Sequence, residues 1–355
     1  TGQEGIRMKI GFLVNDIETE RAGYTTVRLA MTAANRGHDV WFINAGDFAF
    51  DTDEKIRARA RTTSGRKYKT TVSYLKVLKS ETARVERITV DDLDILMLRI
   101  DPADETGQRA WAKTAGIIFG NVALRSGVIV LNDPTALAGA LDKMYMQLLP
   151  QNIRPTTLIS CEREEIKAFV RDQGGVAVLK GFQGTGSQAV FMVTESNRAN
   201  LNQMIDAIVR YGYVIAQEYL PASERGSVRL FLVNGEPLRY RGKVAAFQWV
   251  RTGEGMRANI HEPGQTEAVK LTDAHFHIAE AVRPRLVQDG MFLAGLEIID
   301  DKLIDIDVFS PGGLGTAQTF EKVNFNEAVI HALEQKVDYM AYYRRRFDNV
   351  DMATL

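Results

Sequence analysis

"GLEIIDDKLIDIDVFSPGG", residues 295–313, reads as two strands joined by a polar turn at Asp300, Asp301 and Lys302, yet Glu297, Asp305 and Asp307 sit among isoleucine and valine. Successive strand residues face opposite sides, so Asp305 and Asp307 share one face and Ile304, Ile306 and Val308 the other. A three-residue turn pairs Ile299 with Leu303 and sets Glu297 opposite Asp305. Like charges directly across a strand pair repel. A one-residue slip instead sends the aspartates to the face away from Glu297. The stretch is either a solvated sheet face or a place where a hard cation such as Mg²⁺ gathers oxygen ligands.

Working upstream, "GSVRLFLVNGEPLRYRGKV" (226–244) is a hairpin turning on Asn234 and Gly235, the strongest short hairpin signal in the chain. Arg229 lies inside its apolar first strand and needs an anion or an exposed face. "AQEYL" (216–220) ends a strand with Gln217 and Glu218, where backbone groups suit an adenine edge or an ordinary sheet edge. "VLKGFQGTGSQAVFMV" (178–193) places Lys180 at a strand end before Gly184, Gly186 and Ser187. Glycines admit phosphate oxygens close to backbone N–H groups, but no lysine-serine pair or helix follows, so this is no P-loop. Lys143 lies in "LDKMYM", within a helix expected over 135–149, and alone reads as a surface lysine. Arg257 and Asn259 occupy the glycine-rich loop "GEGMRANIHEPG" (253–264).

At the start, "KIGFLVN", a helix ending near Arg36 and Gly37, and "DVWFINA" form a strand-helix-strand unit. "LDILMLRIDP" (93–102) and "GVIVLNDP" (127–134) add strands, so residues 8–133 are expected to form an open parallel α/β domain. Arg99 and Asp101 lie at a strand C-terminus, where such sheets bind ligands. No G-x-G-x-x-G follows the first strand, which argues against a dehydrogenase. The last helix is amphipathic with a basic end.

The 355 residues are 45% hydrophobic, enough for two or three cores. With 44 basic and 45 acidic residues the net charge is −1, which gives no sign of nucleic-acid binding. The run "KIRARARTTSGRKYK" (55–69) is a local exception, read as a solvated loop or an anion site. One cysteine, Cys161, excludes a disulfide framework and a multi-cysteine zinc site; with 5 histidines it suits a reducing cytoplasm. No apolar run is long enough to span a bilayer, and the start lacks a signal peptide. Met8 reads as the native start and residues 1–7 as an appended leader.

The order of these elements is that of a known family. Helix lysine, strand-end lysine, glycine loop, acidic strand end, arginine strand, Arg-Asn loop, acid and acid-x-acid together resemble the ATP-grasp ligases. "LRIDP", "LNDP", "LDK", "AQEYLP", "VNGEP", "MRAN" and "GLEIIDDKLIDIDVFSP" are similar, in the same order, to segments of the bacterial glutathione synthetases. The resemblance implies an α/β (α+β) ATP-grasp fold behind a pre-ATP-grasp domain at 8–133. A central subdomain at 134–212 would carry a lid, and a C-terminal subdomain at 213–345 the metal site.

It implies ATP and two Mg²⁺ ions, with Mn²⁺ as a substitute. Lys143 and Lys180 would touch ATP, the 183–188 loop would cover its phosphates, and Gln217, Glu218, Tyr219 and Leu220 would form the adenine site and hinge. Glu297, Asp305 and Asp307 would bind metal. Arg229, Arg257 and Asn259 would act at the γ-phosphate and acyl group; Arg99, Asp101, Lys243, Ser310, Pro311 and Gly312 would meet substrates. The expected reaction joins a small-molecule acid and an amine through an acyl phosphate, γ-glutamylcysteine and glycine being favoured, in a homo-oligomeric enzyme. A different amide product, or a non-catalytic ATP-binding relative, is the alternative. Glu297 and Asp305 exchange the family's usual Asp and Glu, Asp307 replaces an asparagine, Lys243 an arginine, and "GGLGTAQTFE" a Thr-Gly-Ile-Arg-Glu run.

Overall fold

The computed structural model describes residues 7–63, 65, 67–81, 83–182, 190–250, 265–343 and 347–355. β1 (Lys9–Val14) is buried at every position after Lys9, as a parallel strand covered on both faces requires. α1 (Thr25–Arg36) stops where Gly37 turns left-handed at φ 98°. β2 (Asp39–Phe50), β3 (Ile56–Thr62), α2 (Thr71–Lys79), β4 (Arg84–Thr89), β5 (Ile95–Leu98), α3 (Ala115–Ala123) and β6 (Ile129–Leu131) complete the unit. The sheet order is β4-β3-β2-β1-β5-β6. The expected parallel sheet is its β2-β1-β5-β6 part; β3 and β4 extend it antiparallel.

β3 corrects the reading of the basic run. Ile56, Ala58 and Ala60 point into the core, while Arg57 pairs outward with Asp51 and Asp53, 2.7 Å from each. The alternation is strand-like, but alanines supply two of its three inward positions, which mutes the apolar signal. Residues 64 and 66 of that run lie outside the described residues.

The helix expected over 135–149 is interrupted. α4 (Pro134–Ala138) ends at Gly139, and Asp142 then caps a separate 3₁₀ segment, Lys143–Leu148, by accepting from Met144 N. Lys143 therefore opens a capped turn rather than riding a helix face. The central unit follows with β7 (Thr157–Ser160), α5 (Arg163–Asp172), β8 (Ala177–Gly181), β9 (Val190–Val193), α6 (Leu201–Val209) and β10 (Val214–Glu218). Its antiparallel sheet, β7-β10-β8-β9, buries a core of its own that includes Ile166, Val170, Leu179, Ile205 and Val214.

β11 (Ser227–Val233), β12 (Glu236–Pro237), β13 (Arg239–Tyr240), β14 (Lys243–Val244), β15 (Ala246–Val250), β16 (Gln265–Glu267), α7 (Asp273–Gln288), β17 (Leu293–Ile299) and β18 (Lys302–Asp307) form the last unit. The sheet runs β16-β15-β11-β17-β18, with β12 on β11. Asn234 and Gly235 both take positive φ, 54° and 77°, as a two-residue hairpin turn of this kind demands. α8 (Leu314–Glu321), α9 (Phe325–Tyr343) and α10 (Asn349–Thr354) close the chain. Phe12, Val27 and Leu29 of the first unit share one core with Phe231, Phe247, Val329 and Leu333, so the first and last units are joined by apolar burial.

The opening hairpin also differs in detail. Its turn is Asp300–Asp301, since Ile299 pairs with Lys302 and Ile298 with Leu303. The register then shifts, leaving Ile304 as an extra residue, and Glu297 pairs with Asp305. A shorter turn plus a bulge thus restores the expected opposition of carboxylates.

Candidate active site

Three adjacent strands put charge in a row. Arg229 on β11 pairs with Glu297 on β17, which pairs with Asp305 on β18; Gly295 and Asp307 form the next rung. Arg229 Nε lies 3.6 Å from Glu297 Oε2, Arg229 Nη1 4.0 Å from Asp307 Oδ2, and Lys143 Nζ 3.5 Å from Asp305 Oδ2. These are loose contacts, and Arg229 Nε is buried with no hydrogen-bond partner among the described residues. The Ser227 hydroxyl donates to Glu297 Oε1.

Burial pushes the Glu297 carboxyl up, against the opposing pull of Arg229 and Ser227 and with help from Asp305 and Asp307. Burial likewise raises Asp307, with Arg229 opposing. Asp305 behaves differently. Burial works to raise it too, but its side chain keeps 42% of its surface, and Lys143, Lys180 and Arg229 together bring it below the usual carboxylate range. These cations and acids face each other at 3.5–4.0 Å, longer than ordinary charge-assisted hydrogen bonds, so the pairs are loosely held.

Among the described residues no three carboxylate, thiol or imidazole groups close around one point. The donor set therefore does not form an all-protein cage. It fits Mg²⁺, which keeps several waters and takes one or two carboxylates plus phosphate oxygens.

Lys180 and Gln217 are diagonal neighbours on β8 and β10. Lys180 Nζ donates to Gln217 Oε1 at 3.0 Å, and Gln217 Nε2 to Thr157 Oγ1 at 3.1 Å. Burial, then the neighbouring Lys143, lowers Lys180 to about 8, with Asp305 opposing. Lys143 is tied to the same sheet, its amide donating to Phe182 O at 3.3 Å. β10 ends at Glu218, whose amide donates to Thr156 O, and Tyr219 and Leu220 leave the sheet; Tyr219 OH donates to Glu224 at 3.1 Å. A cavity of about 550 Å³ lies there, lined by Leu220, Pro221, Glu224, Ile299 and Asp300. Ile299 is on the Glu297 face of β17, about 7 Å along the strand. The cavity thus continues the carboxylate row.

On the other side, Arg99 is 3% exposed and reaches across from the first unit. Its Nε donates to Thr26 Oγ1 at 3.1 Å and its Nη2 to Pro311 O at 3.2 Å. Ser310 N donates to Asp307 Oδ1 at 3.1 Å, and Leu314 N to Thr25 Oγ1 at 3.4 Å. The 310–314 segment, Gly312 included, is thereby held between a carboxylate of the last unit and side chains of the first. Asp101 is fixed by Asn15, which accepts from its amide and donates to its carbonyl. Lys243 is engaged with Glu321 at 3.1 Å. Gly184, Gly186, Ser187, Arg257 and Asn259 lie outside the described residues.

Three further residues belong to this constellation. A Cβ on Gly295 would stand 2.7 Å from Arg229 Nη1 and 3.2 Å from Pro311 Cβ; a lone glycine inside an apolar strand is the sequence signal for such an approach. Ser227 and Thr26 carry no comparable signal, because each acts only through a partner distant in sequence.

Comparison with known proteins matches residues 8–138 to the family described as prokaryotic glutathione synthetase, N-terminal domain, and 142–322 to prokaryotic glutathione synthetase, ATP-grasp domain. The glutathione synthetase of Gloeobacter violaceus is 30% identical over 95% of this chain and 98% of its own. That of Synechococcus elongatus is 29% identical over 93% and 99%. Among solved structures, D-cycloserine synthetase DcsG superposes with TM-score 0.57 at 14% identity, over 91% of this chain and 99% of that one. The ATP-grasp ligase PsnB complexed with its minimal precursor gives 0.58 at 14% identity, over 93% and 99%. At such identity these two show the fold.

Proposed function

We infer the substrates and residue roles from one premise: the chain belongs to the prokaryotic glutathione synthetase family, and is an ATP-dependent ligase of ATP-grasp fold that uses ATP and divalent metal. The reaction proposed is condensation of γ-glutamylcysteine with glycine. The observation that carries the site is the open row of Arg229, Glu297 and Asp305 facing Lys143 and Lys180.

In this reading residues 8–133 present the acid, 134–212 cover the nucleotide, and 213–345 carry the metal-binding face. Lys143 and Lys180 receive ATP phosphates, while Gln217, Glu218, Tyr219 and Leu220 border the base beside the 550 Å³ cavity. Gly184, Gly186 and Ser187 would close over the phosphates. Glu297, Asp305 and Asp307 would hold two Mg²⁺ ions, or Mn²⁺ in their place, and the metal would offset phosphate charge. Arg229, with Arg257 and Asn259, stabilises charge as the γ-phosphoryl group passes to the substrate carboxylate.

A carboxylate is a poor electrophile; the acyl phosphate is a good one, and the amine displaces phosphate from it. Arg99 and Asp307 orient Ser310, Pro311 and Gly312 where that amine arrives, with Asp101 and Lys243 at the substrates. Covering the site excludes water from the acyl phosphate. The setting proposed is the cytoplasm, with identical chains associating.

The test is phosphate release from ATP and Mg²⁺ with γ-glutamylcysteine, with and without glycine, and the product's mass. Glycine-dependent release with a gain of one glycyl unit supports the reading. ATP binding without such release sends the search to other acids and amines on the same scaffold.

A further inference from the structure

Glu20 has no place in the mechanism above, yet it is buried to 8% exposure with its Oε2 lacking a hydrogen-bond partner among the described residues. A buried carboxylate oxygen left unpaired costs about 1–3 kcal/mol or more, so its retention calls for a reason. The nearby ammonium of Lys79 does not supply the partner. It donates to the backbone carbonyls of Glu18 and Glu20, at 2.7 and 2.8 Å.

Glu20 follows the C-terminal end of β1, and Arg99 the end of the adjacent parallel strand β5. That is the crevice where open α/β sheets take ligands. Asp104, exposed, and Tyr24, half-buried, share the spot: the Tyr24 hydroxyl is raised first by burial and then by Glu20, Asp104 and Asp101, with Arg21 opposing. Burial lifts Glu20 itself to about 7, Arg99 and Lys79 pulling down and Asp104 up. Burial lowers the Arg99 guanidinium to about 10, and Asp307, Glu20 and Asp101 oppose it. Glu20 thus shares this crevice with Arg99 and keeps a buried oxygen that no donor among the described residues fills.

We propose that Glu20, assisted by Asp104, receives the α-ammonium group of the acid substrate, at the amino-acid head remote from the carboxylate that becomes activated. This rests on the γ-glutamylcysteine reading. That substrate carries an ammonium and its reacting carboxylate at opposite ends, separated by more than an extended dipeptide's roughly 7 Å. An ammonium supplies the donors that the buried oxygen lacks, since the hydrogen bonds of Arg99 go to Thr26 and Pro311 and those of Lys79 to backbone carbonyls.

The experiment compares γ-glutamylcysteine with glutarylcysteine, in which hydrogen replaces the α-ammonium, on the full chain and on Glu20→Gln. Glu20→Gln is expected to raise KM for γ-glutamylcysteine at least tenfold while changing KM for glutarylcysteine less than twofold, so that the preference for the ammonium substrate collapses. Asp104→Asn, at an exposed position where folding is not at risk, is expected to lose part of the same preference. Equal losses on both substrates, or none on either, would overturn the inference and leave the ligase reading standing. Failure of the unaltered chain to use γ-glutamylcysteine would overturn both.

Discussion

At the β2–β3 turn, Arg57 reaches Asp51 and Asp53 at 2.7 Å each and Arg87 reaches Asp51 at 2.6 Å. Across β11, β17 and β18, Arg229 and Lys143 face Glu297, Asp305 and Asp307 at 3.5–4.0 Å. Both are sheet surfaces that alternate acids and bases. In the first, every charge named has closed on a partner; the Arg57 hydrogen bond, with a smaller one from the Lys55 backbone, holds Asp53 well below its ordinary range. In the second, two carboxyls are raised by burial and Arg229 Nε has no hydrogen-bond partner among the described residues. Closed pairs are structure. Open, buried, mismatched charges are the form a site takes when its counter-charges arrive with the substrate.

The largest effect expected is from Asp305→Ala. Removing one preorganised charged group typically costs 10²–10³-fold, and turnover should fall at least about 10²-fold while thermal unfolding stays near that of the unaltered chain. An active, well-folded variant would erase the distinction between the two surfaces.

Next comes the pH response. The folded pKa of Lys180, about 8, lies below the 10.5 of a free lysine. Between those values the unfolded chain binds more protons, so the contribution of Lys180 to stability rises with pH across that window. Phosphate binding needs the protonated form, so ATP affinity should move the opposite way and fall roughly tenfold per pH unit above about 8. Calorimetry in buffers of differing ionisation heat should show proton uptake on ATP binding near pH 8.5, an uptake lost in Lys180→Met.

Asp307→Asn restores the residue type usual for the resembled enzymes and removes one charge from the crowded rung. It should hold turnover within about threefold or improve it, as steady-state kinetics would report. Smallest of all, Arg57→Ala should leave kcat unchanged and move the urea-unfolding midpoint only slightly, as loss of a surface pair does. A large loss of activity there would mean the closed cluster is more than structure.

Much of this was legible in the sequence, and the exceptions have causes. The Asn234-Gly235 turn and the carboxylate face of β18 follow from local backbone rules and period-2 alternation. The opposition of Glu297 and Asp305 was also legible, but through compensating departures: a shorter turn and the extra residue Ile304. β3 hid because alanine fills two of its inward positions. The sequence suggests a helix at Lys143 because a break by Gly139 and a cap by Asp142 are weak signals inside an apolar periodic run. Glu20, Ser227, Thr26 and the closing role of Gly295 depend on contacts between distant segments, which no local pattern encodes.

In the reaction proposed, this chain activates a carboxylate by phosphorylating it. The direct measurement is isotope transfer: γ-glutamylcysteine carrying ¹⁸O in its cysteinyl carboxylate, turned over with ATP, Mg²⁺ and glycine, and the released phosphate weighed. An acyl phosphate requires one labelled oxygen to leave in each phosphate formed. Phosphate released without the label would contradict the claim.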